Sequence, residues 1–275
     1  MFSYSFAKIN IGLNIVEKRP DGYHNLQTVF YPIPLSDGIE IKPTKFDEKP
    51  YMLQVVGADI DGGAENNLII KVLNSIKNDF NIPPLDIYLN KRIPIGAGLG
   101  GGSSNAACMM NLLNEMFSLN MTAKEMEERV AKFGADCAFF IQSKPVYATG
   151  IGDIMSPIEI SLKDYYFVLV KPQVSVSTKE AYSGVVPQIP AISIHEAIQQ
   201  PIEQWKETIK NDFEDSVFAL YPEIAAIKKT LYDMGAVYAS MSGSGSSVYG
   251  LFKHEQIDLQ KVFTNCFVFQ KKLIK

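Results

Sequence analysis

Pro94-Ile-Gly-Ala-Gly-Leu-Gly-Gly-Gly-Ser-Ser104 is the stretch on which the reading of this 275-residue chain turns. Its five glycines allow positive φ and let a ligand approach the backbone. Ser103, Ser104 and Asn105 then open a predicted helix with Ala106, Met110, Leu113 and Phe117 on one face. Free N–H groups and the positive end of the helix dipole converge at such a junction, so a phosphate is the expected guest. A tightly packed turn is the bland alternative. The familiar phosphate loops fit poorly. A Walker A motif needs a lysine after its glycines, and none follows here. Gly96, Gly98 and Gly101 satisfy G-x-G-x-x-G, but the acidic residue that a dinucleotide fold carries about twenty positions on is missing. The H-R-D and D-F-G triplets of protein kinases do not occur.

Before this loop, Leu85 to Leu89 reads as a strand, and Asn66 or Asn67 caps a helix striped by Ile69, Val72, Leu73, Ile76 and Phe80. The chain opens on strict alternation. Ala7, Ile9, Ile11, Leu13 and Ile15 point one way, and Lys8, Asn10, Gly12 and Asn14 the other. Period two predicts a strand with one buried face and sets Lys8 and Asn10 side by side on the polar one. Arg19-Pro-Asp-Gly22 is a turn, and Leu26 to Ile33 returns as the partner strand.

After the loop, Thr122 and Glu125 form a capping box for a helix with Met126, Val130 and Phe133 inside and Gly134 at its C′ position. Tyr165 to Val170 is a buried strand. Ser193 and Glu196 form a second capping box, Pro201 suits a first turn, and Gly235 closes a helix over Glu223 to Met234. Val237–Met241 and Val248–Phe252 flank Ser240-Met-Ser-Gly-Ser-Gly-Ser-Ser247, a second small-residue loop that is either a backbone nest near the same anion or a plain hairpin. A boundary near Gly150-Ile-Gly152 divides the chain into domains 1–150 and 151–275, with Phe267 to Leu273 expected to pack back on the first.

Composition narrows the classes. Apolar residues are 47% and charged residues 20%, as in ordinary globular proteins, and the charge sum 26 − 30 = −4 argues against a nucleic-acid partner. Cys108, Cys137 and Cys266 lack zinc-like or redox spacing and read as reduced thiols, and His24, His195 and His254 are too scattered for a metal cage. No secretory leader is expected, and the longest apolar run is too short to span a membrane.

Three segments together resemble the GHMP kinase superfamily, which includes galactokinase, homoserine kinase, mevalonate kinase and phosphomevalonate kinase. They are the Lys8 strand, the loop Pro94–Ser104 with its helix, and Ser242-Gly-Ser-Gly245. Ala7-Lys-Ile-Asn-Ile-Gly-Leu13, Arg19-Pro-Asp-Gly-Tyr-His-Asn-Leu-Gln-Thr28 and Gly134-Ala-Asp136 are similar to the branch that phosphorylates 4-diphosphocytidyl-2-C-methyl-D-erythritol. The resemblance implies a two-domain α+β, GHMP-kinase-like fold, with the active site in the inter-domain cleft and a ferredoxin-like C-terminal domain. It implies ATP-dependent phosphorylation of the 2-hydroxyl of that alcohol, in non-mevalonate isoprenoid precursor biosynthesis. The reduced cysteines and the charge balance point to a cytoplasmic protein with no nucleic-acid or membrane partner, expected as a monomer or weak homodimer; no carboxylate dedicated to magnesium stands out, so Mg²⁺ is expected to be carried with ATP, with Ser104 nearby.

The residues carry over one by one. Asp136 matches the catalytic carboxylate that takes the hydroxyl proton, and Lys8 the active-site lysine that favours the developing alkoxide. Pro94, Ile95, Gly96, Ala97, Gly98, Leu99, Gly100, Gly101, Gly102, Ser103 and Ser104 match the ATP loop, with Asn67 and Lys91 around the nucleotide and Gly243, Ser244 and Gly245 supporting the loop. Asn10 is expected to hold the hydroxyl in line. Tyr23 stacks on cytosine, His24 bonds its edge, and Phe30 and Tyr182 complete that pocket. Cys137-Ala138 depart from the relatives' aliphatic residue and proline, with Cys137 expected as a small apolar substitute. Other readings are a kinase for homoserine or a mevalonate-like alcohol, which has no base to stack; a catalytically silent nucleotide sensor; and a dinucleotide-dependent oxidoreductase.

Overall fold

The computed structural model describes residues 1–44, 49–58 and 63–274. Its contacts divide the chain into two compact units: a first of Met1–Ala7, Leu35–Ile95 and Gly100–Lys144, and a second of Lys8–Pro34, Gly96–Leu99 and Pro145–Lys275. The two long paired strands β1 (Phe2–Lys18) and β2 (His24–Pro43) contribute residues to both.

In the first unit β3 (Tyr51–Val56) runs parallel to β4 (Leu85–Asn90), which pairs antiparallel with β2 from Gly38↔Asn90 to Pro43↔Leu85. The expected helix forms over Leu68–Lys77. Asn67 caps it, accepting from the Ile69 N–H at 3.0 Å, and it buries Ile69, Ile70, Val72, Leu73 and Ile76. The helix after the glycine loop spans Gly101–Met116, and its buried face includes Ala106, Met110 and Leu113. The Thr122–Glu125 capping box is complete at the head of helix Ala123–Val130. That helix stops earlier than its apolar stripe suggests. A 3₁₀ turn, Ala131–Phe133, tightens its end, and Gly134 closes the turn in extended backbone (φ 166°, ψ 146°), not as a left-handed C′ residue. A second 3₁₀ turn, Ala135–Cys137, follows at once.

In the second unit β5 (Val146–Thr149) pairs with β2 at residues 28–30 and forms a hairpin with β6 (Ile154–Pro157). β7 (Tyr166–Lys171), β8 (Tyr238–Met241), β9 (Val248–Phe252) and β10 (Phe267–Lys272) form a separate antiparallel sheet, ordered β10-β7-β9-β8. Helix Pro222–Asp233 joins its core, burying Ile224, Ile227 and Leu231 with Val168, Val170, Met241, Val248 and Phe252. The second capping box, Ser193 with Glu196, is complete, and Pro201 caps a short 3₁₀ turn. Trp205 is buried, with its indole N–H donating to the Gln200 carbonyl at 2.9 Å and its ring edge-on to Tyr238 at 5.6 Å.

Two expectations are corrected. The terminal strand, expected at the first domain, pairs within the second unit: β9 takes one edge of β7, and β10 pairs along the other, from Phe267↔Lys171 to Lys272↔Tyr166. And β1 is buried on both faces, since Lys8, Asn10 and Asn14 are 4%, 2% and 8% exposed. Its polar face is covered by groups that hydrogen-bond to it, which is the condition for burying such side chains.

Candidate active site

Within the second unit the polar face of β1 meets both small-residue loops. The Lys8 ammonium donates to Asn10 Oδ1 at 2.6 Å and to the Gly98 carbonyl at 3.3 Å, and lies 5.0 Å from the centre of the Phe30 ring. Asn10 Nδ2 donates to Thr28 Oγ1 (2.9 Å), whose hydroxyl donates to the Gly12 carbonyl (2.6 Å). The ammonium is therefore fixed by a relay of oriented dipoles. The second loop lies against the first: Ser242 Oγ donates to the Gly98 carbonyl at 2.9 Å and accepts from the Asn10 N–H at 3.2 Å. Gly98 has φ +72°, and a Cβ there would collide with the Ser242 carbonyl, so only glycine fits. Ser240–Ser247 therefore lies in contact with the glycine loop at Gly98.

The same geometry engages two residues that were expected at the substrate. Asn10, expected on the substrate hydroxyl, is buried, with its amide engaged by Lys8 and Thr28; it positions the lysine. Phe30, expected in the base pocket, is 3% exposed with Lys8 over its ring, so that ring serves a buried cation.

In the first unit the Lys91 ammonium, expected around the nucleotide, is buried against Asp37 and donates to Asn105 Oδ1 at 3.0 Å. Asp37, which the sequence reading missed, accepts from the Arg92 and Ile93 N–H groups (2.7 and 2.8 Å) and from Asn105 Nδ2 (2.9 Å). Lys91 thus anchors the first turn of helix Gly101–Met116 from beneath. Ser104, expected beside Mg²⁺, is equally committed: its hydroxyl donates to the Phe6 carbonyl (2.6 Å) and accepts from Ser5 Oγ (2.8 Å). Among the described residues no three His, Cys, Asp or Glu side chains are grouped to hold a metal ion.

Asp136 sits half-buried in the 3₁₀ turn Ala135–Cys137. The thiol of Cys137 beside it is fully buried, and burial pushes its pKa up, which suits a small apolar filler and not a nucleophile. Asn67 is the helix cap described above.

The aromatic group belongs to the second unit. Arg19 and Asp21 brace the turn: the guanidinium hydrogen-bonds the Asp21 carboxyl and holds it below its usual range, and Asp21 Oδ1 accepts from the Tyr23 N–H. Tyr23 is left 62% exposed. His24 stacks on Tyr182 with centroids 4.7 Å apart, and Tyr182 in turn packs edge-on to Phe213. Tyr182 therefore does lie with His24, but no third ring fits between them at that spacing.

Comparison with known proteins agrees along the whole chain. The model of the GHMP kinases N-terminal domain matches residues 67–144, and that of the GHMP kinases C-terminal domain residues 193–262. Proteins named 4-diphosphocytidyl-2-C-methyl-D-erythritol kinase from Bacteroides fragilis and Bacteroides thetaiotaomicron are 53% and 52% identical to it, covering 99% of this chain and 100% of each relative. A crystal structure of 4-(cytidine 5'-diphospho)-2C-methyl-D-erythritol kinase aligns over 98% of both chains with TM-score 0.81 and 26% identity. A homoserine kinase from Cytophaga hutchinsonii aligns over 98% of this chain with TM-score 0.68 and 18% identity, which is likeness of fold alone.

Proposed function

The chain belongs to the GHMP kinase family, and from that premise we propose that it is an ATP-dependent kinase of 4-diphosphocytidyl-2-C-methyl-D-erythritol. The observation that carries the substrate choice is full-length identity above one half to kinases of that name. ATP is the co-substrate. In the reaction the 2-hydroxyl oxygen bonds to the γ-phosphorus, the bond to the β,γ-bridging oxygen breaks, and ADP leaves.

Phosphoryl transfer asks mainly for positioning and charge neutralisation. Asp136 is our proposed acceptor of the hydroxyl proton, and Lys8 the cation that favours the oxygen as it gains charge. The rigid hold on Lys8 supports this role, since a preorganised charge needs no reorientation during the reaction. The glycine loop and the N-terminus of helix Gly101–Met116 take the phosphates. Tyr23 supplies a face for cytosine and His24 an edge contact. Mg²⁺ comes with the ATP phosphates. Among the described residues no helix is long and apolar enough to cross a membrane. A cytoplasmic location, a monomer or weak dimer, and a domain division near residue 150 complete the proposal, and limited proteolysis tests the last.

The experiment is ADP release by the purified chain with ATP, Mg²⁺ and the cytidyl alcohol, set beside homoserine, mevalonate and galactose. Turnover confined to the cytidyl alcohol is the expected result. Turnover on another alcohol discards the base pocket, and silence on all four from protein that binds ATP discards the kinase.

A further inference from the structure

We propose that Asn211 is a positioning residue for nucleotide binding: it sets the geometry of the second loop, which in turn sets the Gly98 peptide of the phosphate loop. The proposal rests on the kinase reading above. All residues in the argument lie in the second unit.

Asn211 is 2% exposed, and its amide is used on every side. Oδ1 accepts from the Phe213 N–H at 3.0 Å, which fixes which end is nitrogen. Both Nδ2 hydrogens are then taken, by the Met241 and Gly243 carbonyls at 2.8 Å each. Glu214 grips the same Met241 peptide from its other end, accepting its N–H at 2.8 Å, and is itself held by Lys228 at 2.5 Å. The two side chains thus hold both polar groups of the last residue of β8.

The clamp is also tied to the strand that carries Lys8. Leu13 and Asn211 form a bridge, with Leu13 N–H donating to the Lys210 carbonyl (2.9 Å) and Asp212 N–H to the Leu13 carbonyl (2.8 Å). Beyond the clamp there is no slack. Gly243 is left-handed (φ +56°), and a Cβ on it would sit 3.3 Å from Gly98 Cα and 3.4 Å from Asn10 Oδ1. The Gly98 carbonyl receives Ser242 Oγ and the Lys8 ammonium together. Moving the Gly243 carbonyl therefore moves Gly98.

The test uses Asn211→Asp in the full chain. It keeps size and the acceptor for the Phe213 N–H, and replaces the double donor with an oxygen facing two carbonyls. The expected result is a rise of roughly tenfold or more in KM for ATP and in the calorimetric Kd of a non-hydrolysable ATP analogue, with KM for the cytidyl alcohol within about twofold. Asn211→Ser, which keeps one donor, should fall between, and guards against a variant that fails to fold. Glu214→Gln keeps an acceptor for the Met241 N–H and should leave KM for ATP within about threefold while lowering the melting midpoint. Wild-type ATP affinity in both Asn211 variants would overturn the proposal. So would an equal rise in both substrates' KM in Asn211→Asp and Glu214→Gln, because that is the mark of general loosening. If the wild type binds the analogue but phosphorylates nothing, the kinase reading falls, and the Kd shift still decides the clamp.

Discussion

Replacing Lys91 with methionine removes one half of a buried ion pair and leaves the other in place. Asp37 is fully buried, and the Lys91 side chain is 4% exposed. Breaking such a pair by deleting one partner costs about 3–5 kcal/mol, because the remaining charge has lost its counter-ion without regaining water. Here the Arg92, Ile93 and Asn105 donors still reach Asp37, so the cost belongs at the lower end, near ~3 kcal/mol. For a chain of this size about 2–4 °C of melting midpoint goes with each kcal/mol, which gives a fall of roughly 6–12 °C. Scanning calorimetry at neutral pH reads it. Adding Asp37→Asn should recover part of the loss. The new amide keeps an oxygen for the Arg92 and Ile93 N–H groups and removes the orphaned charge. A Lys91→Met chain that melts within about 2 °C of wild type but shows a raised KM for ATP would refute the reasoning and return Lys91 to the nucleotide. A double variant less stable than the single would refute it as well.

Asp136→Asn should lower kcat by about 10²–10⁴ with a near-normal KM for ATP, read in steady-state ADP release; near-full turnover removes Asp136 from the proton transfer. Tyr23→Ala should raise KM for the cytidyl alcohol about 5–150-fold, the equivalent of ~1–3 kcal/mol of base stacking, and leave ATP unaffected; equal effects on both substrates count against the stack. Glu125, Glu180 and Glu196 each have a pKa below the ordinary 4.5, through hydrogen bonds from Thr122, Ser177 and Ser193 respectively. Folded-state values below the unfolded value mean a stabilisation that is complete above about pH 4.5 and lost as pH falls through the lowered folded-state values. Urea midpoints between pH 3 and 6 should therefore decline less steeply with acid in the triple Gln variant than in wild type.

What could be read in advance was what is local in the chain. The three-residue span of Thr122–Glu125 and Ser193–Glu196 is a capping box wherever it forms, and the alternation of Ala7 to Ile15 puts Lys8 beside Asn10 in any strand. The step from glycines to helix was likewise visible. Partners far apart in sequence were not. Asp37 meets Lys91 across 54 residues, and Asn211 meets Met241 across 30, so no pattern near either aspartate or asparagine marks it as an anchor. Lys91 and Phe30 were legible as chemical types but not by their neighbours, because only the fold shows that Lys91 meets Asp37 and Asn105 and that the Phe30 ring faces Lys8. The end of helix Ala123–Val130 was misplaced for a related reason: a 3₁₀ turn continues an apolar stripe almost as well as another α-turn.

The burial of Trp205 makes the second unit its own reporter. The chain contains one tryptophan, and it lies in that unit, buried, hydrogen-bonded through its indole and in edge contact with Tyr238. Tyr238 contacts Tyr249, whose hydroxyl donates to the Asn10 carbonyl at 2.9 Å, so a short run of rings links the indole to the strand that holds Lys8. Emission excited at the red edge of indole absorption therefore follows the second unit alone, while tyrosine absorbance follows both. If the units melt separately the two signals part company, and a substrate that stiffens the Lys8 strand should be visible as a change in indole quenching without any label.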